Sequence, residues 1–191
     1  PARGRGVEWL RHRERARRMP FNLPTALTWL RIVLIPVFVA IYYLPDSWLS
    51  MPARNWTAMW VFAVAAITDW LDGWLARRWG QTSAFGAFLD PVADKLMVAA
   101  ALIVLVWLDR AEAYLAIIII GREIAISALR EWMAQIGASR SVAVHMLGKL
   151  KTVTQMVAIP FLLYDGALFG VIDTRLWGTG LIVIAAVLTI W

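Results

Sequence analysis

Six nearly uninterrupted apolar stretches, roughly 23–45, 56–79, 86–108, 112–133, 142–164 and 176–191, leave this 191-residue chain few ways to fold. About 20 apolar residues cross a hydrocarbon core as a helix, and all but the last stretch reach that length. The runs are continuous and do not alternate apolar with polar, so they read as helices and not as barrel strands. The connections between them are too short for a separate soluble domain, and no internal repeat is visible. The chain is 61% hydrophobic and 17% charged, more apolar and less charged than a water-soluble domain can hide. The expected fold is therefore all-α and polytopic, with six transmembrane helices over 22–191. With no Cys, disulfides and thiolate-bound metals are excluded, and His12 and His145 alone cannot build a His-rich centre.

The formal charge of +6 is concentrated at one end. Residues 3–18 hold seven Arg against Glu8 and Glu14, and the remaining chain is nearly neutral. This is one basic arm on a neutral body, which does not point to a nucleic-acid partner. Interleaved with Val7, Trp9, Leu10, Met19 and Phe21, the Arg residues make 1–21 an expected amphipathic juxtamembrane helix on anionic lipid. A basic flank that serves only topology is the plainer reading of the same residues. The Lys/Arg distribution puts the N-terminus in the cytoplasm, and six spans return the C-terminus there. The chain starts at Pro1 and stops at Trp191 inside an apolar run, so the native termini are expected beyond both.

Ionisable residues within apolar spans are costly and mark function by default. Arg31, Asp69, Asp72, Asp90, Asp94, Arg122, Glu123, Lys149 and Lys151 all fall inside the stretches. At 1.5 Å per residue they lie about 6–17 Å from the cytoplasmic ends of five spans that alternate in direction. A shared depth predicts one polar chamber in the cytoplasmic half, open to water. Taken singly, each charge reads equally well as half of a structural ion pair. Four Asp on two consecutive spans exceed what pairing requires. Glu123 is expected to orient Arg122, so that Arg122 rather than Lys151 is its expected ion-pair partner. The sixth span carries no charge in its apolar run and reads as packing or an oligomer contact.

Asp69 and Asp72 are spaced i,i+3 and Asp90 and Asp94 i,i+4, so each pair shares a helix face. A short hairpin would bring the two faces together. Four carboxylates in one confined site repel one another unless hard divalent cations such as Mg²⁺ or Mn²⁺ neutralise them. Two such ions could clamp a phosphate. Gly73 and Ala76 permit close approach of a ligand or of a neighbouring helix, and Arg77 offers a planar donor fork. Asp90 followed by Pro91 also reads as a helix N-cap.

The full pattern is Asp69-x2-Asp72-Gly73-x2-Ala76-Arg77-x8-Gly86-x3-Asp90-x3-Asp94. It resembles the signature of the CDP-alcohol phosphotransferases at all eight fixed positions. The resemblance implies a six-span homodimeric membrane enzyme that moves a phosphatidyl-type group from a CDP-linked donor to an alcohol and releases CMP. It further implies that Asp69, Asp72, Asp90 and Asp94 hold two divalent metals and that Asp94 is the general base. Asp69, Gly73, Ala76, Arg77, Thr82 and Gly86 would line the donor site. The stretches 22–39, 121–124 and 148–158 are similar to the branch that joins CDP-diacylglycerol to glycerol 3-phosphate in the bacterial inner membrane. Leu23-Pro24-Thr25-Ala26 departs from that branch, which more often has Pro-Asn before Leu-Thr. A dianionic acceptor needs a cationic pocket, for which Arg31, Arg122, Lys149 and Lys151 are the candidates. Sister enzymes with phosphatidylglycerol, inositol phosphate or serine as acceptor share much of this pattern. A divalent-cation transporter or a metal-dependent membrane anchor would share only the intramembrane Asp residues.

Overall fold

The computed structural model describes residues 23–79, 84–136, 146–168 and 170–190. They form α1 (Leu23–Ile41), α2 (Met51–Trp79), α3 (Ala84–Trp107), α4 (Ala113–Gln135), α5 (Met146–Tyr164) and α6 (Thr174–Ile190), with strands β1 (Ala167–Leu168) and β2 (Ile172–Asp173) before α6. Each of the six expected apolar stretches contains the greater part of one helix. The expected juxtamembrane segment 1–21 lies outside the described residues.

Six helix pairings close a ring in the order α1–α2–α5–α6–α4–α3 and back to α1. The expected α2–α3 contact is present, and among the described residues α1 packs on both helices more extensively than they pack on each other. The core is filled by Phe38, Phe62, Leu102, Leu105, Ile119 and Leu162, all fully buried. The α5–α6 contact is the most extensive, and Gly178 makes it possible. A Cβ there would lie 2.7 Å from Cγ of Leu162, itself fully buried with no room to retreat.

Apolar side chains also cover the outside of the bundle, while several polar ones are buried within it. Exposed Trp56, Trp60, Val64, Ile67, Trp70 and Trp74 follow one another at three- or four-residue spacing along a single face of α2. Arg31, Lys151 and Gln155, by contrast, are buried. Among the described residues, however, no helix is both long and apolar enough to cross a membrane. The expectation of six uninterrupted spans is corrected to that extent. The longest helix, α2, carries Arg54 near its start and Asp69, Asp72, Arg77 and Arg78 in its second half, while α6 has only 17 residues.

The end of the ring that holds residues 42–50, 108–112 and 165–173 is tied by two arginines in or beside the connections, Arg110 and Arg54. Buried Arg110 donates from Nη1 to the carbonyls of Leu163 (2.9 Å) and Leu162 (3.3 Å), and from Nη2 to Oδ1 of Asn55 (3.1 Å). Its Nη2 also lies 3.2 Å from Asp165 Oδ2. Arg54 reaches Asp46 Oδ1 at 2.5 Å and the Leu49 carbonyl at 2.9 Å. The β1–β2 hairpin turns through Gly170 at φ +71°. Asp173 then caps α6, accepting from the backbone N–H groups of Arg175 (3.0 Å) and Leu176 (3.2 Å).

Candidate active site

Arg31 on α1, Asp69 on α2 and Asp94 on α3 meet inside the other end of the ring. The Nη1 atom of Arg31 lies 2.5 Å from Asp94 Oδ1 and 2.9 Å from Asp69 Oδ1. A single nitrogen thus joins the two halves of the acidic motif. The Arg31 side chain is 1% exposed, whereas both carboxylates are 34% exposed. The guanidinium therefore stands behind the carboxylates, and solvent reaches them from the other side.

Helical spacing builds the wall below. Phe62, Ala65, Ala66 and Asp69 follow i, i+3, i+4, i+7 on α2, and Asp94, Met97 and Val98 follow i, i+3, i+4 on α3. With Met156 of α5 these residues line one small cleft, so the carboxylates border an apolar floor. Low polarity there strengthens every charge interaction at the site. Met156 and the α2 floor residues were not singled out in the sequence, because small and apolar residues at helical spacing look the same in any core.

A second pair lies between α4 and α5. Lys151 Nζ, on a 3%-exposed side chain, donates to Oε1 of Glu123. This corrects the expectation that Glu123 pairs with Arg122 rather than with Lys151. Arg122 is half-buried and makes no hydrogen bond or ion pair among the described residues. The reason is geometric: adjacent residues on a helix point about 100° apart, so Arg122 and Glu123 cannot both face α5. Gln155 lies one turn beyond Lys151 on the same inner face of α5 and is also buried. Arg31, expected beside an acceptor phosphate, directs Nη1 of its guanidinium to the two Asp.

The other expected residues fall partly or wholly outside the description. Asp72, Gly73, Ala76 and Arg77 lie within α2, Gly86 and Asp90 within α3 and Lys149 within α5, but their side chains are outside the described residues. Thr82 lies outside altogether. Among the described residues no group of three or more His, Cys, Asp or Glu forms a metal site. The described donors nonetheless suit a hard divalent ion. They are carboxylate oxygens only, and they converge from two helices.

These features define a helical enzyme built on a paired acidic motif, and comparison with known proteins gives the class its name. The chain belongs to the CDP-alcohol phosphatidyltransferase family, which it matches over residues 21–191. This membership sets aside the transporter and anchor readings, and the family is generally metal-dependent. The chain is 48% identical over 179 residues to the CDP-diacylglycerol–glycerol-3-phosphate 3-phosphatidyltransferase of Escherichia coli strain K12, across 91% of each chain. The enzyme of the same name from Salmonella typhimurium strain LT2 is equally similar, at 48% identity and the same coverage.

Proposed function

We propose that this enzyme transfers the phosphatidyl group of CDP-diacylglycerol to glycerol 3-phosphate, forming phosphatidylglycerophosphate and CMP in phospholipid biosynthesis. The observation that carries the reading is the meeting of Asp69 and Asp94 in one cleft, lined on the α5 side by Met156. The similarity to transferases named for these two substrates supports the choice of acceptor.

In this reading Asp94 takes the proton from a glycerol hydroxyl, whose oxygen forms a bond to the phosphatidyl phosphorus. The bond from that phosphorus to the CMP oxygen breaks, and CMP leaves with the electron pair. Asp69, Asp72, Asp90 and Asp94 would hold Mg²⁺ or Mn²⁺, two ions per site. Bound there, the metal supplies neutralisation of the pyrophosphate and of the charge that develops on CMP. Asp69, Gly73, Ala76, Arg77, Thr82 and Gly86 form the donor site, and Arg122, Lys149 and Lys151 receive the acceptor phosphate.

The setting we propose is the bacterial inner membrane, with the site on the cytoplasmic side and residues 1–21 on the leaflet surface. The exposed apolar stripe of α2 supports it, since a soluble monomer rarely shows so large a patch. Exposed aromatics also gather at both ends of the bundle, Tyr43, Trp48, Trp107 and Tyr114 at one and Trp70, Trp74 and Trp132 at the other. That is the distribution of two membrane–water interfaces. A homodimer is part of the proposal, with the outer face of α6 as its candidate contact.

The direct test is an acceptor panel with CDP-diacylglycerol as donor and chromatography of the lipid products. Glycerol 3-phosphate should be converted in preference to phosphatidylglycerol, inositol phosphate or serine. Preference for another acceptor would move the enzyme to a sister branch. EDTA should stop CMP release and Mg²⁺ or Mn²⁺ restore it, because oxygen-only sites exchange such ions. Full turnover in metal-stripped buffer would exclude the metal-dependent step.

Arg122 gives the cleaner test of the acceptor pocket, because Lys151 is committed to Glu123. Arg122→Ala should raise the KM for glycerol 3-phosphate roughly tenfold to hundredfold, the effect of one lost charge-assisted hydrogen bond of about 1.5–3 kcal/mol. The KM for CDP-diacylglycerol should change much less. Equal damage to both would place the acceptor phosphate elsewhere.

A further inference from the structure

We infer that Arg31 is a positioning residue for the metal-binding carboxylates and not a ligand of the acceptor. The inference rests on the metal reading above and adds a residue that the acidic motif does not contain. Three observations carry it. The guanidinium is buried, while both carboxylates it contacts are one-third exposed, so it approaches them from the protein side. A single Nη1 engages Oδ1 of Asp69 and Oδ1 of Asp94, which fixes the distance between residues on different helices. The two helices pack on α1 more than on each other, so α1 and its Arg31 are what brings the motif halves together.

Without that cation, two carboxylates facing one cleft repel and splay. Held by Arg31 through one oxygen each, they stay at a fixed separation on the solvent-exposed side. Partners that orient metal-ligating carboxylates in this way commonly change metal affinity tenfold to hundredfold when removed. A counter-argument has the opposite sign: a resident positive charge also repels an incoming cation. If that effect dominated, removing Arg31 would tighten metal binding. The burial asymmetry decides between them, because a competitor would occupy the exposed side of the carboxylates.

The test is Mn²⁺ titration of purified full-length protein by calorimetry or electron paramagnetic resonance, alongside steady-state kinetics at saturating Mn²⁺. Arg31→Gln should weaken Mn²⁺ binding at least tenfold and leave the KM for glycerol 3-phosphate unchanged. Arg31→Lys keeps the charge but not the planar fork; it should stay folded and recover part of the affinity, and it decides the matter if Arg31→Gln does not fold. Mn²⁺ affinity in Arg31→Lys equal to or tighter than wild type would overturn the inference. So would a raised KM for glycerol 3-phosphate with unaltered Mn²⁺ binding, which would return Arg31 to the acceptor pocket. Absence of saturable Mn²⁺ binding by the wild type is a different failure, because it removes the metal reading itself.

Discussion

Asp94→Asn is expected to abolish CMP release while the protein stays folded and still binds CDP-diacylglycerol. The substitution keeps the size of the side chain and one oxygen, so Arg31 Nη1, now 2.5 Å from Asp94 Oδ1, retains an acceptor. What disappears is the negative charge and with it the capacity to take a proton. General-base catalysis alone contributes about 10²–10⁴-fold, and loss of a charged metal ligand adds to that. Asp69→Asn differs: with metal and nucleotide binding both resting on Asp69, turnover and donor binding should fall together. Measuring CMP release and donor binding on the same preparations separates the two roles. Wild-type CMP release by folded Asp94→Asn would show that another group serves as the base.

Arg110→Met should be the most damaging single change to stability, although it lies at the opposite end of the ring from the chemistry. It would leave the carbonyls of Leu162 and Leu163 without their donor and Asp165 without its cation. Removing one partner from a buried ionic network costs about 3–5 kcal/mol. For a chain of this size that corresponds to roughly 6–20 °C in Tm. Thermal unfolding in detergent would measure it, and the surviving folded fraction should keep a normal KM for both substrates. Asn55→Ala, which removes one hydrogen bond to Arg110, should cost only about 1 kcal/mol. A Tm for Arg110→Met within 2–3 °C of wild type, about 1 kcal/mol or less, would mean that the network contributes little.

The helices were legible because apolar runs bounded by charges and turn residues reveal their lengths directly, and each of the six stretches contains the greater part of one helix. Asp69 and Asp94 were legible because carboxylates in apolar surroundings demand a reason. Which cation each acidic residue pairs with was not. That depends on ring order, and α1 lying against both α2 and α3 is a long-range outcome with no local signal. Lys151 choosing Glu123 follows from helix rotation, which spacing alone leaves open when Arg122 stands next door. Arg110 was passed over for a related reason. In a short connection between apolar runs a lone Arg reads as a solvated flank, and nothing nearby announces that the end of α5 will fold over it. The two-residue strands at 167–168 and 172–173 are too short to carry a period.

The contacts of Arg31 also bear on how the chain is made. The Arg31–Asp69–Asp94 grouping uses only α1, α2 and α3, and so is complete once the first half of the chain exists. Synthesis runs from the N-terminus, and early elements can fold before later ones appear. Three helices can therefore leave the ribosome with these buried charges already offset against one another. The Glu123–Lys151 pair is likewise confined to the second half, within α4 and α5. Each half of the nascent protein thus carries its own charge compensation as it folds. The α2–α5 and α3–α4 contacts then join the two halves, each already charge-compensated at these positions.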